Sequence, residues 1–137
     1  MTTGTLFTLG YSAQGAEARL IELMGTDLHA SPIKTLLVDI RFSPRSKRFP
    51  EWSAGALHSR WHHCYWQLGH SLGNENFHDK ALPIKLAKPE PGIKHICWHL
   101  RRGTNVILLC ACADESRCHR LIVAKMVQEA MAEGIAR

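Results

Sequence analysis

A chain of 137 residues, 45% of them hydrophobic, suffices for one buried core and falls short of two ordinary ones, so one domain over 1–137 is expected. Seventeen Lys and Arg against twelve Asp and Glu give a formal net charge of +5. That excess suits nucleic acid, nucleotides or other phosphates as partners, although ordinary solubility charge looks the same.

No run approaches the ~20 apolar residues of a membrane-spanning helix. The opening residues 1–5 lack the basic start and apolar core of a signal peptide, and five cysteines cannot all pair. Reduced thiols in the cytoplasm, away from any membrane, are therefore expected.

Residues 5–9 alternate and are rich in strand formers, and Gly10-Tyr11-Ser12 follows as a glycine-led turn. Ala16, Leu20, Leu23 and Met24 then recur at helical spacing, with Glu17, Arg19 and Glu22 opposite. Residues 27–32 read as loop and 35–40 as a second buried strand, with Asp39 where it meets its loop. Two apolar strands separated by a helix predict a parallel βαβ unit. Residues 41–50 hold four cations, two aromatics and two prolines and cannot be helical throughout. A short helix capped by Ser53 is expected within 51–61, with Leu57 and Trp61 on one face, and a short strand over 64–68. From Ser71 to Pro91 the periodicity fails, which predicts an irregular or short-helical, mobile excursion. Ile93, Ile96, Cys97 and Leu100 mark an amphipathic helix closed by Arg101, Arg102 and a C′ glycine, Gly103.

The strongest signal comes next. Residues 106–109 are a continuous branched apolar run, the mark of a strand covered on both faces. Cys110, Cys112 and the polar cluster Asp114-Glu115-Ser116 follow it, and Ser116 is the expected N-cap of a helix from about Cys118 to about Glu133. Cys118, His119 and Arg120 would occupy its first turn, where free N–H groups and the helix dipole favour an anion or a thiolate. In an open parallel sheet the ligand crevice lies outside the carboxyl ends of the strands. The first turn, the 41–50 loop and the cysteine loop are expected to converge there.

Each candidate has a plain counterpart. Cys118, flanked by Arg117, His119 and Arg120, is the candidate nucleophile, or else a small buried residue. Phosphatase and sulfurtransferase loops place Arg six residues after Cys. From Cys112 that position is Cys118 and from Cys110 it is Ser116, so neither register fits. Cys110, Cys112, Cys118 and His119 are soft ligands, but C-x-C-x5-C-H matches no standard zinc ribbon or finger, and a first ligand inside a buried strand strains a tetrahedron. No metal or other cofactor is therefore expected, there or at His58, His62, His63 and Cys64.

Asp39 and Arg41 share a face at the end of a strand. The carboxylate is the candidate acid or base and the guanidinium the phosphate holder, unless they form a mutual ion pair. Arg45, Lys47 and Arg48 beside Phe42 and Phe49 suit a backbone-binding strip with stacking rings, or a solvated loop with its rings tucked in. Tyr11 and Ser12 are expected to offer a hydroxyl and a backbone N–H to the same ligand. Cys112, His119 and Arg120 complete the expected binding set.

Thr8-Leu9-Gly10-Tyr11-Ser12, Leu37-Val38-Asp39-Ile40-Arg41 with Pro44-Arg45-Ser46, Tyr65 with Leu68-Gly69, and Leu109-Cys110-Ala111-Cys112 with Cys118-His119-Arg120 occur in an order that resembles the domain of unknown function 488 family. The resemblance covers almost the whole chain and implies a compact cytoplasmic α/β domain, without supplying a reaction. The chain departs from the family pattern in lacking a short final strand after the last helix. It also carries Gly69-His70-Ser71-Leu72-Gly73 where a Gly-Gly pair and arginines are usual, so a basic contact carried by that segment is expected to be either lost or replaced by His70. An uncovered sheet edge would favour a homodimer.

The expected fold is thus α/β, a single domain with a mostly parallel sheet flanked by helices. The expected function is binding, with or without processing, of a phosphate-bearing ligand such as a nucleotide or nucleic acid, with Arg41, Arg45 and Arg120 as anion holders. Two alternatives stand beside it: a non-catalytic nucleic-acid-binding module, whose affinity would fall steeply with salt, and a cysteine-based redox or metal-binding protein.

Overall fold

The computed structural model describes residues 2–112 and 118–133. Four strands, β1 (Leu6–Gly10), β2 (Thr35–Asp39), β3 (Tyr65–Gln67) and β4 (Asn105–Cys110), form one sheet in which every adjacent pair is parallel. Helices α1 (Ala16–Met24), α2 (Ala54–Trp61), α3 (Gly69–Leu72), α4 (Pro89–Arg101) and α5 (His119–Glu133) flank it. The α/β fold with a parallel sheet is as expected from the sequence.

The lateral order is β1-β4-β2-β3, so β1 and β2 are not neighbours and β4 lies between them. Val106 sits opposite Leu6 on one side and Leu36 on the other, and Leu109 opposite Leu9 and Asp39. A strand paired on both edges and covered on both faces reaches water nowhere, which is why 106–109 is an unbroken apolar run. Its side chains then alternate between two layers. Leu37, Ile107 and Leu109 join Leu20, Leu57 and Trp61 from α1 and α2. Leu36, Val38, Val106 and Leu108 pack with Ile96, Leu100, Val123 and Val127 from α4 and α5. Cys110 and Cys118 belong to that second layer, which puts their thiols on the α5 side of the sheet.

Two local expectations are corrected and a third gains detail. The helix within 51–61 is split: a 3-10 turn, Pro50–Trp52, precedes α2, and the Ser53 hydroxyl does not cap it. That hydroxyl is spent on the 41–50 loop, accepting from the Ser46 N–H at 3.0 Å and donating to the Ser46 carbonyl at 3.3 Å. Helix α4 begins at Pro89, because a proline lacks only an N–H that the first turn leaves unpaired anyway. The excursion before it is tied by Asn74, which bridges antiparallel to Leu86 and whose Oδ1 accepts from the N–H groups of Asn76 and Lys85, both at 3.0 Å.

The end of α4 is as expected, with Gly103 at φ 89° donating its N–H to the Leu100 carbonyl. The expected N-cap Ser116 and its neighbour Arg117 lie outside the described residues, as does 134–137, on which the absence of a final strand turns. Among the described residues no helix is long and apolar enough to cross a membrane.

Candidate functional site

The carboxyl ends of β1, β2 and β4 open on one hollow of about 840 Å³. Tyr11 and Ser12 reach it from β1, Arg41 and Arg45 from β2, and Cys112, Cys118 and His119 from the β4 to α5 connection. The expected convergence therefore holds for these seven residues. Asp39 and Arg120 do not line the hollow, and each has a different task.

Asp39 is 1% exposed and fully engaged. Its Oδ1 accepts from Arg41 Nε at 2.8 Å and from the Arg41 N–H at 3.1 Å; its Oδ2 accepts from Arg41 Nη2 at 2.6 Å and from the Tyr65 hydroxyl at 2.5 Å. A carboxylate so occupied holds Arg41 in place and is not presented to a ligand, which corrects the acid or base role expected of it. Tyr65, which sequence reasoning did not select, arrives from β3 because its register sets it opposite Leu37. Burial, and then the Asp39 charge, push its hydroxyl well above the usual tyrosine range.

Arg41 is 6% exposed. Burial works against its cation, but the hydrogen bond and charge of Asp39 outweigh that and raise its pKa. Among the described residues its Nη1 has no hydrogen-bond partner, and its guanidinium carbon lies 5.3 Å from the Tyr11 ring centroid. Tyr11 itself stacks on Trp52 at 5.5 Å and 15°. The backbone N–H groups of Tyr11 and Ser12 donate to the carbonyls of Cys110 and Ala111 at 3.0 and 3.1 Å, so the N–H expected to meet a ligand is already used.

The floor is sulfur and imidazole. Cys110, Cys112 and Cys118 have Sγ atoms within 4.8 Å of one another. His119 Nε2 lies 2.7 Å from the Ile40 carbonyl oxygen. A carbonyl only accepts, so Nε2 carries the hydrogen and a neutral His119 turns the lone pair of Nδ1 toward Cys110 at 3.6 Å and Cys118 at 3.8 Å. A hydrogen bond from the Cys110 thiol, opposed by burial and helped by His119 and the Arg120 N–H, holds Cys118 down to about 3. Cys112 is lowered as well, chiefly by Cys110, while Cys110 is pushed up by its two sulfur neighbours and by burial. Burial disfavours the His119 cation, but the Cys118 hydrogen bond and the Ile40 carbonyl raise it overall.

Arg120, expected to hold an anion, is 4% exposed and donates from Nη1 to the Cys112 carbonyl. It braces the cysteine loop from behind. A Cβ at Gly10 would overlap that same carbonyl oxygen and crowd Arg120 Nη1, so only glycine lets the end of β1 pass under the loop.

The outer wall was not legible in the sequence. Phe42 and Phe77 are 44% and 52% exposed, and their rings lie 5.7 Å apart at 31°. Leu82 and Ile84 extend this wall from the tied excursion, and Lys80 and Asp79 also line the hollow. Phe49, by contrast, tucks inward edge-on to Tyr11, so the expected pair of stacking rings is Phe42 with Phe77 and not Phe42 with Phe49. His70 lines an adjoining hollow of about 530 Å³ that shares Arg41 and Phe42 as a wall. Among the described residues His58, His62, His63 and Cys64 form no metal-capable cluster, and the Cys64 thiol donates to the Leu28 carbonyl.

No curated protein and no solved structure matches the chain. A family model described as DUF488-N3a, the active DUF488-N3 subclade, matches residues 76–131, which take in α4, β4 and the Cys-His-Arg run. Over those residues the chain is similar to the DUF488 family, in line with the motif order it resembles, and Cys118 and His119 of the matched stretch share the hollow with Arg41.

Proposed function

We propose that the hollow binds a phosphate-bearing ligand with a planar ring, either a nucleotide or the end of a nucleic-acid strand. The observation that carries this reading is Arg41. A buried guanidinium nitrogen without an acceptor costs about 1–3 kcal/mol, and Nη1 stands in that state on a side chain that lines the hollow and is held by Asp39. An anionic oxygen is the partner that a fixed guanidinium fork suits best. Arg45 adds an exposed cation on the same wall. At 5.7 Å the rings of Phe42 and Phe77 are too close to admit a base between them, so a base would stack on their exposed faces.

Calorimetric titration with nucleoside monophosphates, a short single-stranded oligonucleotide and inorganic phosphate tests the reading. Saturable binding that weakens with added salt is expected. Arg45→Gln should weaken every ligand by a similar factor, and Phe77→Ala should weaken the base-bearing ligands alone. Absence of saturable binding to all three at millimolar concentration, or equal losses of phosphate and nucleotide in Phe77→Ala, overturns it.

A further inference from the structure

The sulfur and imidazole floor has a geometry that ligand binding at Arg41 does not use. A tetrahedral zinc site with Zn–S of about 2.3 Å and Zn–N of about 2.0–2.1 Å has sulfur–sulfur edges of about 3.8 Å and sulfur–nitrogen edges of about 3.5 Å. From His119 Nδ1 to Cys110 and Cys118 the separations are 3.6 and 3.8 Å, already close to that edge, while Cys112 lies further from the ring and must close on it. The three sulfurs lie within 4.8 Å of one another, so their triangle needs to close by about 1 Å at most. We propose that Cys110, Cys112, Cys118 and His119 bind one thiophilic divalent ion per chain, with zinc the metal their three sulfurs and one nitrogen suit best.

The surroundings agree with a ligand set. A metal-binding histidine almost always donates its other ring N–H to a fixed acceptor, which sets the tautomer and aims the free nitrogen. The Ile40 carbonyl takes that role at 2.7 Å. Three thiolates around a divalent ion leave one net negative charge, and the buried Arg120 guanidinium, bound to the Cys112 carbonyl, offsets it from behind. The objection drawn from sequence, that the first ligand would lie inside a buried strand, is eased because Cys110 is the last residue of β4 and its thiol faces the α5 side. Cys112, the partly exposed member, sits beyond the strand. The other two cysteines take no part, since Cys64 and Cys97 each donate to a backbone carbonyl elsewhere.

The proposal does not depend on nucleotide binding and is tested without it. Protein purified without a metal-affinity step is assayed for metal by mass spectrometry, then stripped with a chelator and titrated with Co(II). The expected result is one zinc per chain, and on cobalt loading a sulfur-to-cobalt charge-transfer band with the intense visible bands of a tetrahedral ion. Three of the five thiols should become reactive only after chelation. Cys112→Ser should weaken cobalt affinity at least tenfold. Stripped protein with all five thiols reduced that takes up neither zinc nor cobalt overturns the proposal. So does isolation of the native chain with a disulfide among these three cysteines, which would make them a redox group. The cobalt spectrum of the unmodified protein decides the matter even if the variant fails to fold.

Discussion

Arg41 and Asp39 show how one ion pair divides a structural from a functional task. The carboxylate spends both oxygens on Arg41 and Tyr65, and the guanidinium keeps one nitrogen in reserve. Asp39→Asn removes the charge from a buried pair, and breaking such a pair costs about 3–5 kcal/mol; urea unfolding should show a loss of that size. Tyr65→Phe removes one hydrogen bond to the same carboxylate, so a loss of about 1–3 kcal/mol is expected, with ligand affinity little changed. A much larger loss of ligand affinity would place Tyr65 in contact with the ligand. The i, i+2 spacing of Asp39 and Arg41 was legible in the sequence. The choice between ion pair and ligand pair was not, because Tyr65, which helps to settle it, lies 26 residues away on another strand. For the same reason Arg120 read as an anion holder: nothing local to a Cys-His-Arg run shows that its arginine turns back to the Cys112 carbonyl.

At the level of elements the strands were readable and the approach of one to another was not. The unbroken apolar run in β4 and the helical spacing in α1 and α4 follow directly from burial on both faces or on one. The need for Gly10 arises only where β1 meets the cysteine loop. Gly10→Ala should therefore destabilise the fold by roughly the 1–3 kcal/mol of an overpacked site or more, and should lower metal affinity through Cys112. Differential scanning calorimetry and the cobalt titration measure the two effects separately. The tied excursion gives another test. Asn74→Ala deletes one acceptor shared by two backbone N–H groups, so hydrogen exchange should accelerate at Asn76 and Lys85 while global stability changes by only about 1–3 kcal/mol. Unchanged exchange would mean that Asn74 does not hold this wall. The excursion is irregular, as expected, but its tie was not legible because a bridge between Asn74 and Leu86 leaves no periodic mark.

Over the whole molecule, pH acts through the far side of α4. His95 lies tilted against Trp66, His99 meets Trp66 and His95 edge-on, and Trp98 and Arg102 border them. Burial, and then the charges of His95 and Arg102, push His99 down to about 4, and burial lowers His95 from its ordinary 6.5. Above pH 6.5 both imidazoles are neutral in folded and unfolded chains, and neither contributes to pH dependence. Between 6.5 and about 4 the unfolded chain takes up protons that the folded chain refuses, so stability falls as pH falls through that window. The melting temperature of the wild type should drop more steeply there than that of His99→Gln. The raised His119 exerts its pH dependence above 6.5, outside this window, and is common to both proteins. Equal slopes would show that His99 is not held neutral.

The lateral order β1-β4-β2-β3 has a consequence for the order of assembly. Strands β1 and β2 are made early and stand one lane apart, and the segment that joins them is synthesised only after residue 104. A fragment ending there would hold apolar strand edges with nothing to bridge them and should remain largely unfolded by circular dichroism. Contacts this distant along the chain slow folding. The piece that closes the sheet also delivers the three clustered thiols, so sheet closure and assembly of the sulfur floor should come together, late in synthesis.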